Sequence, residues 1–174
     1  MYVEVLILSN LLGGSSYGYE IKKNVERVMG GAFAINNNVL YPALRKFEQM
    51  GAVEKEVERQ EGKPNRHVYR ATELGREIFG EMLREFPPEK AGNDAEFLVR
   101  VAFMHLLEPE ERLRILRTRK EFLEGVLGHL SAVRPDAEES GYPHAAKVLG
   151  FWRGQREREI EWIEELAKEA GARP

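Results

Sequence analysis

A proline pair divides this chain into two stretches with different hydrophobic patterns. The segment Phe86 to Asn93 reads FPPEKAGN, and its two prolines and its Gly-Asn end cannot continue a helix. Before the segment, helical and strand periodicities alternate, whereas after it the pattern is helical almost throughout. The sequence therefore predicts two domains, residues 1–88 and residues 89–174.

Composition limits the kinds of protein that this chain can be. Of its 174 residues 43% are hydrophobic and 32% are charged, which is typical of a globular protein. Its apolar runs are far shorter than the roughly 20 residues of a membrane span, and its N-terminus lacks the basic lead of a signal peptide. We therefore expect a cytoplasmic protein that does not interact with a membrane.

The residue types also argue against catalysis. The chain contains no cysteine, which excludes disulfides and thiolate metal sites. Its four histidines are isolated from one another, and its serines have no His and Asp companions in a recognisable arrangement. The sequence thus predicts no enzyme, no metal site and no cofactor.

Residues 1–88 contain signals for four helices and one hairpin. The predicted helices are Tyr2–Leu12, Tyr17–Met29 with Ser15 or Ser16 as its cap, a third from the asparagine caps at 36–38 to about Met50, and Glu73–Phe86. Ala52–Arg59 and Arg66–Ala71 have strand character and flank a turn-rich loop. In the fourth helix, Leu74, Ile78, Met82 and Phe86 are expected to face inward.

The third helix has a polar face with unusual content. Its predicted core face consists of Leu40, Ala43, Leu44, Phe47 and Met50. Its other face carries Asn38, Tyr41, Pro42, Arg45, Lys46 and Gln49. By itself this pattern is more typical of an ordinary amphipathic helix with a solvated polar face.

The order of the elements indicates a function for the polar face of the third helix. Two helices, a glycine-bearing turn, a helix and a hairpin make the topology of a winged helix-turn-helix, whose third helix enters a DNA major groove. Residues 1–88 hold 12 basic and 12 acidic side chains, so DNA has to be bound by a local patch. The candidate DNA-binding residues are Asn36, Asn37, Asn38, Tyr41, Arg45, Lys46, Lys63, Arg66 and His67. This assignment requires Glu54, Glu56 and Glu58 of the first wing strand to point away from DNA.

The pattern of residues 89–174 predicts a helical bundle that associates with a second chain. Helices are expected at Asn93–Leu107, from Pro109 to about Val133 and at Pro143–Ala170, with a loop at Pro135–Gly141. The apolar arc of the last helix is wider than one neighbouring helix can cover, which favours a second chain. The candidate dimerisation residues are Leu149, Phe151, Ile160, Trp162 and Ile163.

At several of these positions the sequence resembles the PadR-like family of bacterial transcriptional regulators. The resembling segments are GYEI at 18–21, VLYPALRKFE at 39–48, YRAT at 69–72, EFLVRVAF at 96–103 and REIEWI at 158–163. The fold class expected is mainly α, with a winged helix-turn-helix domain, a two-stranded wing and an all-helical C-terminal dimerisation domain.

The resemblance implies a homodimeric repressor whose affinity for a palindromic operator in double-stranded DNA is relieved by a small effector. Trp152, with Phe103 and Arg156, is a candidate site for a planar aromatic or anionic effector, although aromatic residues of a bundle are more often core or interface anchors. The alternative is a winged-helix module that contacts only other proteins, as the balanced charge of residues 1–88 would allow.

Overall fold

Seven α-helices and one three-stranded antiparallel sheet make up the regular structure of the described residues. The computed structural model describes residues 2–31, 34–59, 65–139 and 142–171, with only the backbone given at 28, 134–139 and 143. The chain divides into two compact units, Met1–Glu85 and Phe86–Pro174. The expected mainly α fold, with a winged helix-turn-helix and a helical C-terminal part, is confirmed.

The N-terminal unit is built around its first helix. Its elements are α1 (Tyr2–Leu12), β1 (Ser16–Tyr17), α2 (Gly18–Val28), α3 (Asn37–Gln49), β2 (Val53–Glu58), β3 (Arg66–Ala71) and α4 (Glu73–Arg84). Helix α1 packs against α2, α3, β3 and α4, and residues 3–8 of it are all buried. One of those buried residues is Glu4, a carboxylate in an otherwise apolar stretch. The fold therefore has to provide that carboxylate with a cation or hydrogen-bond donors.

The sheet contains one strand more than the predicted hairpin. Strand β3 lies between β2 and β1, with Ser16 opposite Tyr69 and Tyr17 opposite Val68. Because residues 16–17 are extended, the prediction that Ser15 or Ser16 caps the next helix is wrong. Helix α2 is capped by Tyr17, whose backbone N–H donates to Glu20 Oε2 at 3.1 Å.

Helix α3 follows its predicted course. The Asn36 side chain caps it by accepting a hydrogen bond from the Val39 N–H at 3.0 Å. Leu40, Ala43, Leu44 and Phe47 are buried as predicted, but Met50 is exposed because the helix ends there. Gly51 makes the exit turn with a φ of +73°, a conformation in which glycine is favoured.

The predicted inner face of α4 is wrong for three of its four residues, whereas the fourth, Phe86, is buried as predicted but lies beyond the end of the helix. Gly75, Phe79 and Leu83 are buried, whereas Leu74 is exposed and Ile78 and Met82 are half-buried. The cause is a close approach, since a Cβ at Gly75 would lie 2.2 Å from the Ala52 carbonyl oxygen. Only glycine allows this contact. The contact turns the side of α4 that carries Phe79 and Leu83 toward the core.

The C-terminal unit contains α5 (Asp94–Ala102), α6 (Pro109–Glu139) and α7 (Pro143–Gly171), with 3₁₀ turns at Pro88–Lys90 and Met104–Leu106. The expected helix over Asn93–Leu107 ends earlier, at Ala102. The expected loop at Pro135–Gly141 is wrong for residues 135–139, which continue α6, and residues 140–141 lie outside the described ranges. The residues after Pro135, DAEE, include good helix formers, so one lost backbone hydrogen bond does not end the helix.

Two buried arginines organise this unit. Arg119 of α6 donates to the Ala91 carbonyl and to Asp94, and its Nε lies 2.8 Å from Glu159 of α7. Arg100 of α5 donates to the Glu96 carboxylate at 2.7 Å. Both guanidinium groups are paired, as burial of a charge requires. Within the described ranges, none of the helices combines the length and the apolar character of a membrane-spanning segment.

Candidate nucleic-acid interface

The outer face of α3 presents polar groups and the cation of Arg45 to solvent. Asn38, Tyr41, Arg45 and Gln49 are all exposed and lie on the side opposite the buried residues. Among the residues that the structure describes, Arg45 forms no ion pair. Its guanidinium is therefore available to a ligand, and its planar fork suits both phosphate and guanine edges.

The edges of α3 are held by neighbouring elements. Lys46 Nζ lies 2.8 Å from Glu4 Oε1 of α1, and Lys55 Nζ of β2 lies 3.0 Å from Glu48 Oε1. Lys22 Nζ of α2 also donates to Asn37 Oδ1 at 3.3 Å. Of the predicted DNA-binding residues, Asn36 caps the helix and Asn37 and Lys46 have intramolecular partners. Sequence reasoning missed Glu4 and Lys22.

The wing places two predicted contact residues on opposite faces. Arg66 pairs with Glu58 across the ladder, and His67 pairs with Val57. Directly opposed residues share a face and neighbours along a strand alternate, so Arg66 lies on the face of Glu54, Glu56 and Glu58. The glutamates have to point away from DNA, so Arg66 can contact DNA only by extending its long side chain past this face. Lys63 lies outside the described residues.

Tyr17 links β1 to this glutamate face. Its hydroxyl donates to Glu58 Oε2, its ring stacks on Tyr19 at a centroid distance of 5.9 Å, and the Arg66 guanidinium lies 5.6 Å above it. The hydrogen bond to Glu58 raises the pKa of the Tyr17 hydroxyl. A cation–π contact leaves the Arg66 charge available while restricting its position. The sequence contains no periodic signal for this cluster, because Tyr17 reaches it from a two-residue strand.

A cleft of 220 Å³ separates α3 from the wing. It is lined by Tyr17, Gly18, Tyr19, Tyr41, Asn65, Arg66, His67 and Tyr69. A Cβ at Gly18 would lie 3.0 Å from the Tyr41 hydroxyl, so this tyrosine rests on the start of α2. Tyr41, Arg66 and His67 thus all border the cleft, although the side chains of Arg66 and His67 leave β3 on opposite faces. Asn38 and Arg45 lie on the helix beside it.

The predicted dimerisation residues of α7 differ in burial. Ile163 is buried, Leu149 and Ile160 are half-buried, and Phe151 is 60% exposed. Trp162 is half-buried and packs edge-on against Phe97 with ring centroids 6.2 Å apart. Phe151, with the exposed Trp152 and Val148, leaves an apolar strip on the surface of this chain.

The candidate effector residues have different surroundings. Trp152 is 53% exposed, and Phe103 is half-buried at the end of α5. Arg156 Nη1 lies 3.0 Å from Glu159 Oε2 and 3.6 Å from Asp94 Oδ1, so it belongs to the ion cluster around Arg119. The described ranges contain no cluster of three or more acidic or histidine side chains that could hold a metal ion.

Comparisons with known proteins identify one protein family and several similar chains. Residues 7–81 match the model of the "Transcriptional regulator PadR-like family". A transcriptional regulator from Clostridium thermocellum is 32% identical over 46% of this chain and 77% of its own, with a TM-score of 0.43. An uncharacterized protein from Lysinibacillus sphaericus is 26% identical over 51% of this chain and 82% of its own.

Two further solved structures extend over both units. Bacillus subtilis PadR, in complex with operator DNA, is 18% identical, covers 98% of this chain and 99% of its own, and has a TM-score of 0.47. The protein smu.1604c from Streptococcus mutans is 26% identical over 95% and 98%, with a TM-score of 0.46. The family match spans nearly all of the N-terminal unit, Met1–Glu85. The chain therefore belongs to the PadR-like family of transcriptional regulators, and it is a regulator rather than an enzyme.

Proposed function

We propose that this regulator acts as a sequence-specific, double-stranded-DNA-binding homodimer that represses transcription and is relieved by a small effector. The observation that carries the proposal is the outer face of α3, where Arg45 has no acidic partner among the described residues and lies between the exposed Asn38 and Gln49. A helix of this kind, followed by a hairpin, suits insertion into a major groove.

The proposed DNA contacts divide into two groups. Asn38, Tyr41 and Arg45 read base edges, because amide and guanidinium groups match the hydrogen-bonding edges of adenine and guanine. Arg66, His67 and Lys63 bind phosphates, which position the protein without carrying sequence information. Tyr17 supports this arrangement by restricting the Arg66 guanidinium through its ring.

The proposed dimer uses the apolar strip of α7. Phe151, Trp152 and Val148 are 60%, 53% and 47% exposed in one chain, and large apolar side chains side by side on a surface are typical of an interface. A two-fold symmetric dimer presents two α3 helices and requires an operator with two inverted half-sites.

The test is binding of the full-length protein to DNA from the region upstream of its own gene. We expect a footprint with two inverted half-sites and an affinity that falls steeply with salt. A control duplex of random sequence should bind more weakly by orders of magnitude. Equal affinity for both duplexes over the salt series would refute sequence-specific binding.

A protein-binding winged helix is the second candidate. Two ion pairs at the α3 edges and the glutamates of the wing support it, because they reduce the positive charge that this surface presents. The same titrations discriminate the two functions, since a protein-binding module would bind neither duplex at low salt.

A further inference from the structure

The ion pair between α1 and α3 joins two very unequal partners. Glu4 retains 12% of its side-chain exposure, whereas Lys46 retains 58%, and their charged atoms lie 2.8 Å apart. Glu4 belongs to a helix whose residues 3–8 are all buried, so its carboxylate cannot follow a moving partner. The Lys46 ammonium lies at the end of a flexible side chain, at the edge of the proposed DNA-binding face. A DNA phosphate can therefore draw it away from Glu4.

Separating the Lys46 ammonium from the Glu4 carboxylate costs free energy. Burial acts to raise the pKa of Glu4, but the hydrogen bonds from Lys46 and from the amino terminus, together with the charges of both groups, hold it below its ordinary value. Glu4 is therefore ionised at neutral pH. Loss of the ammonium would leave a largely buried carboxylate with less compensation, a state that proteins avoid.

We propose that Glu4 competes with the DNA backbone for Lys46 and thereby limits sequence-independent binding, which makes Glu4 a specificity-determining residue. The inference rests on the proposed function of the same surface. A lysine ammonium binds phosphate as a point charge and contributes to every sequence equally. Restraining Lys46 therefore weakens binding to random DNA, while Arg45, which has no acidic partner among the described residues, remains free to read bases.

The pattern on the other edge of α3 supports the argument. Lys55 is held there by Glu48, but both of those side chains are about one-third exposed, at 31% and 35%. Solvent screens such a pair, so DNA can displace it at little cost. The buried carboxylate at position 4 is what makes the Lys46 restraint strong.

The decisive variant is Glu4→Gln, measured on a random-sequence duplex and on an operator duplex over a salt series. Glutamine keeps the shape of the side chain and removes its charge. We expect random DNA to be bound more tightly, with a salt slope steeper by about 0.9 for each bound subunit, because one more phosphate is neutralised. The ratio of operator to random affinity should fall. The double variant Glu4→Gln/Lys46→Gln should return the slope to the wild-type value.

Glu77→Gln is the matched control, because it makes the same charge change at an exposed position of α4. It should leave the slope unchanged. If Glu4→Gln fails to fold, the salt slope of Lys46→Gln alone tests the competition. We expect that variant to keep the wild-type slope, whereas a lysine already bound to phosphate would lower it by about 0.9 per subunit.

An unchanged slope in folded Glu4→Gln, or a lowered slope in Lys46→Gln, overturns the competition. Neither result touches the proposed DNA binding, which wild-type binding and the loss caused by Arg45→Ala test separately. If wild-type protein binds neither duplex, the proposed function itself fails.

Discussion

Individual side chains separate two tasks at the proposed DNA surface. Arg45 lies on the exposed centre of α3, whereas Arg66 lies on the wing over the Tyr17 ring. We propose that the first position contacts base edges in a major groove and the second contacts the phosphate backbone. Loss of either charge should therefore affect binding in a different way.

Arg45→Ala should cost about 1–3 kcal/mol per half-site on the operator, while much of the affinity for random DNA remains. Arg66→Ala should weaken binding to all sequences and flatten the salt slope by about 0.9 per subunit. Titrations of both variants on both duplexes check this. If Arg66→Ala relaxes sequence preference and Arg45→Ala does not, the roles of helix and wing are reversed.

One glycine determines how α4 packs. Gly75→Ala places a Cβ 2.2 Å from the Ala52 carbonyl oxygen, and backbone on both sides has to shift. We expect a loss of about 1–3 kcal/mol in the free energy of unfolding, as for other overpacked sites. Gly80→Ala in the same helix meets only the flexible end of Arg84 and should be neutral or stabilising by about 0.5–1 kcal/mol. Urea unfolding of the two variants tests the difference, and equal stabilities would contradict it.

Among the elements, α1 and α3 are joined by an ion pair that depends on pH. The folded-state pKa of Glu4 is lowered, so its stabilisation is present above the unfolded value of 4.5 and is lost as the pH falls through the folded value. Glu4→Gln should cost on the order of 1 kcal/mol at pH 7. The stability gap to wild type should close at strongly acidic pH. Urea unfolding at several pH values measures the gap, and a gap that is constant with pH would count against the pair.

Helix α7 carries two tryptophans in different environments. Trp162 packs edge-on against Phe97, whereas Trp152 is half-exposed beside Phe151. If a planar aromatic carboxylate binds near Trp152, its titration should quench wild type and Trp162→Phe and leave Trp152→Phe almost unchanged. Equal quenching in both variants, or none with a panel of such acids, would argue against a tryptophan site.

For the whole molecule, the proposed dimer depends on the exposed apolar strip of α7. Phe151→Glu puts a charge into the exposed apolar strip without disturbing the core of one chain. We expect this variant to sediment as a folded monomer and to lose affinity for the two-half-site operator. Gly150→Glu adds the same charge at an open neighbouring position, where no atom lies within 4 Å of a new Cβ, and should remain dimeric.

The two-fold symmetry of the proposed dimer also constrains the operator. Two α3 helices that enter successive major grooves on one side of the duplex require half-site centres about 34 Å apart, or a multiple of that distance. Inserting half a helical turn between the half-sites should abolish tight binding, and inserting a full turn should restore part of it. Unaltered affinity after the half-turn insertion would exclude a rigid two-fold dimer.

Much of the fold was predictable because local patterns encode it. The burial of α1 follows from its continuous apolar run, the core face of α3 follows from helical spacing, the Asn36 cap follows from residue type, and strand β3 has the predicted bounds Arg66–Ala71. Each of these depends on residues a few positions apart, which backbone geometry brings together in any environment.

Only the tertiary structure decided which residues meet across the chain. Glu4 reaches Lys46, Tyr17 reaches Glu58, and Arg119 reaches Glu159, over separations of 40 to 42 residues. Gly75 likewise settles the rotation of α4 by meeting Ala52. Periodicity carries no information on such contacts, because it identifies the buried face of an element and not the element that covers it. The sequence by itself thus determined the winged helix and its polar outer face, while long-range packing decided which cations of that face remain free, because each carboxylate partner comes from a different element.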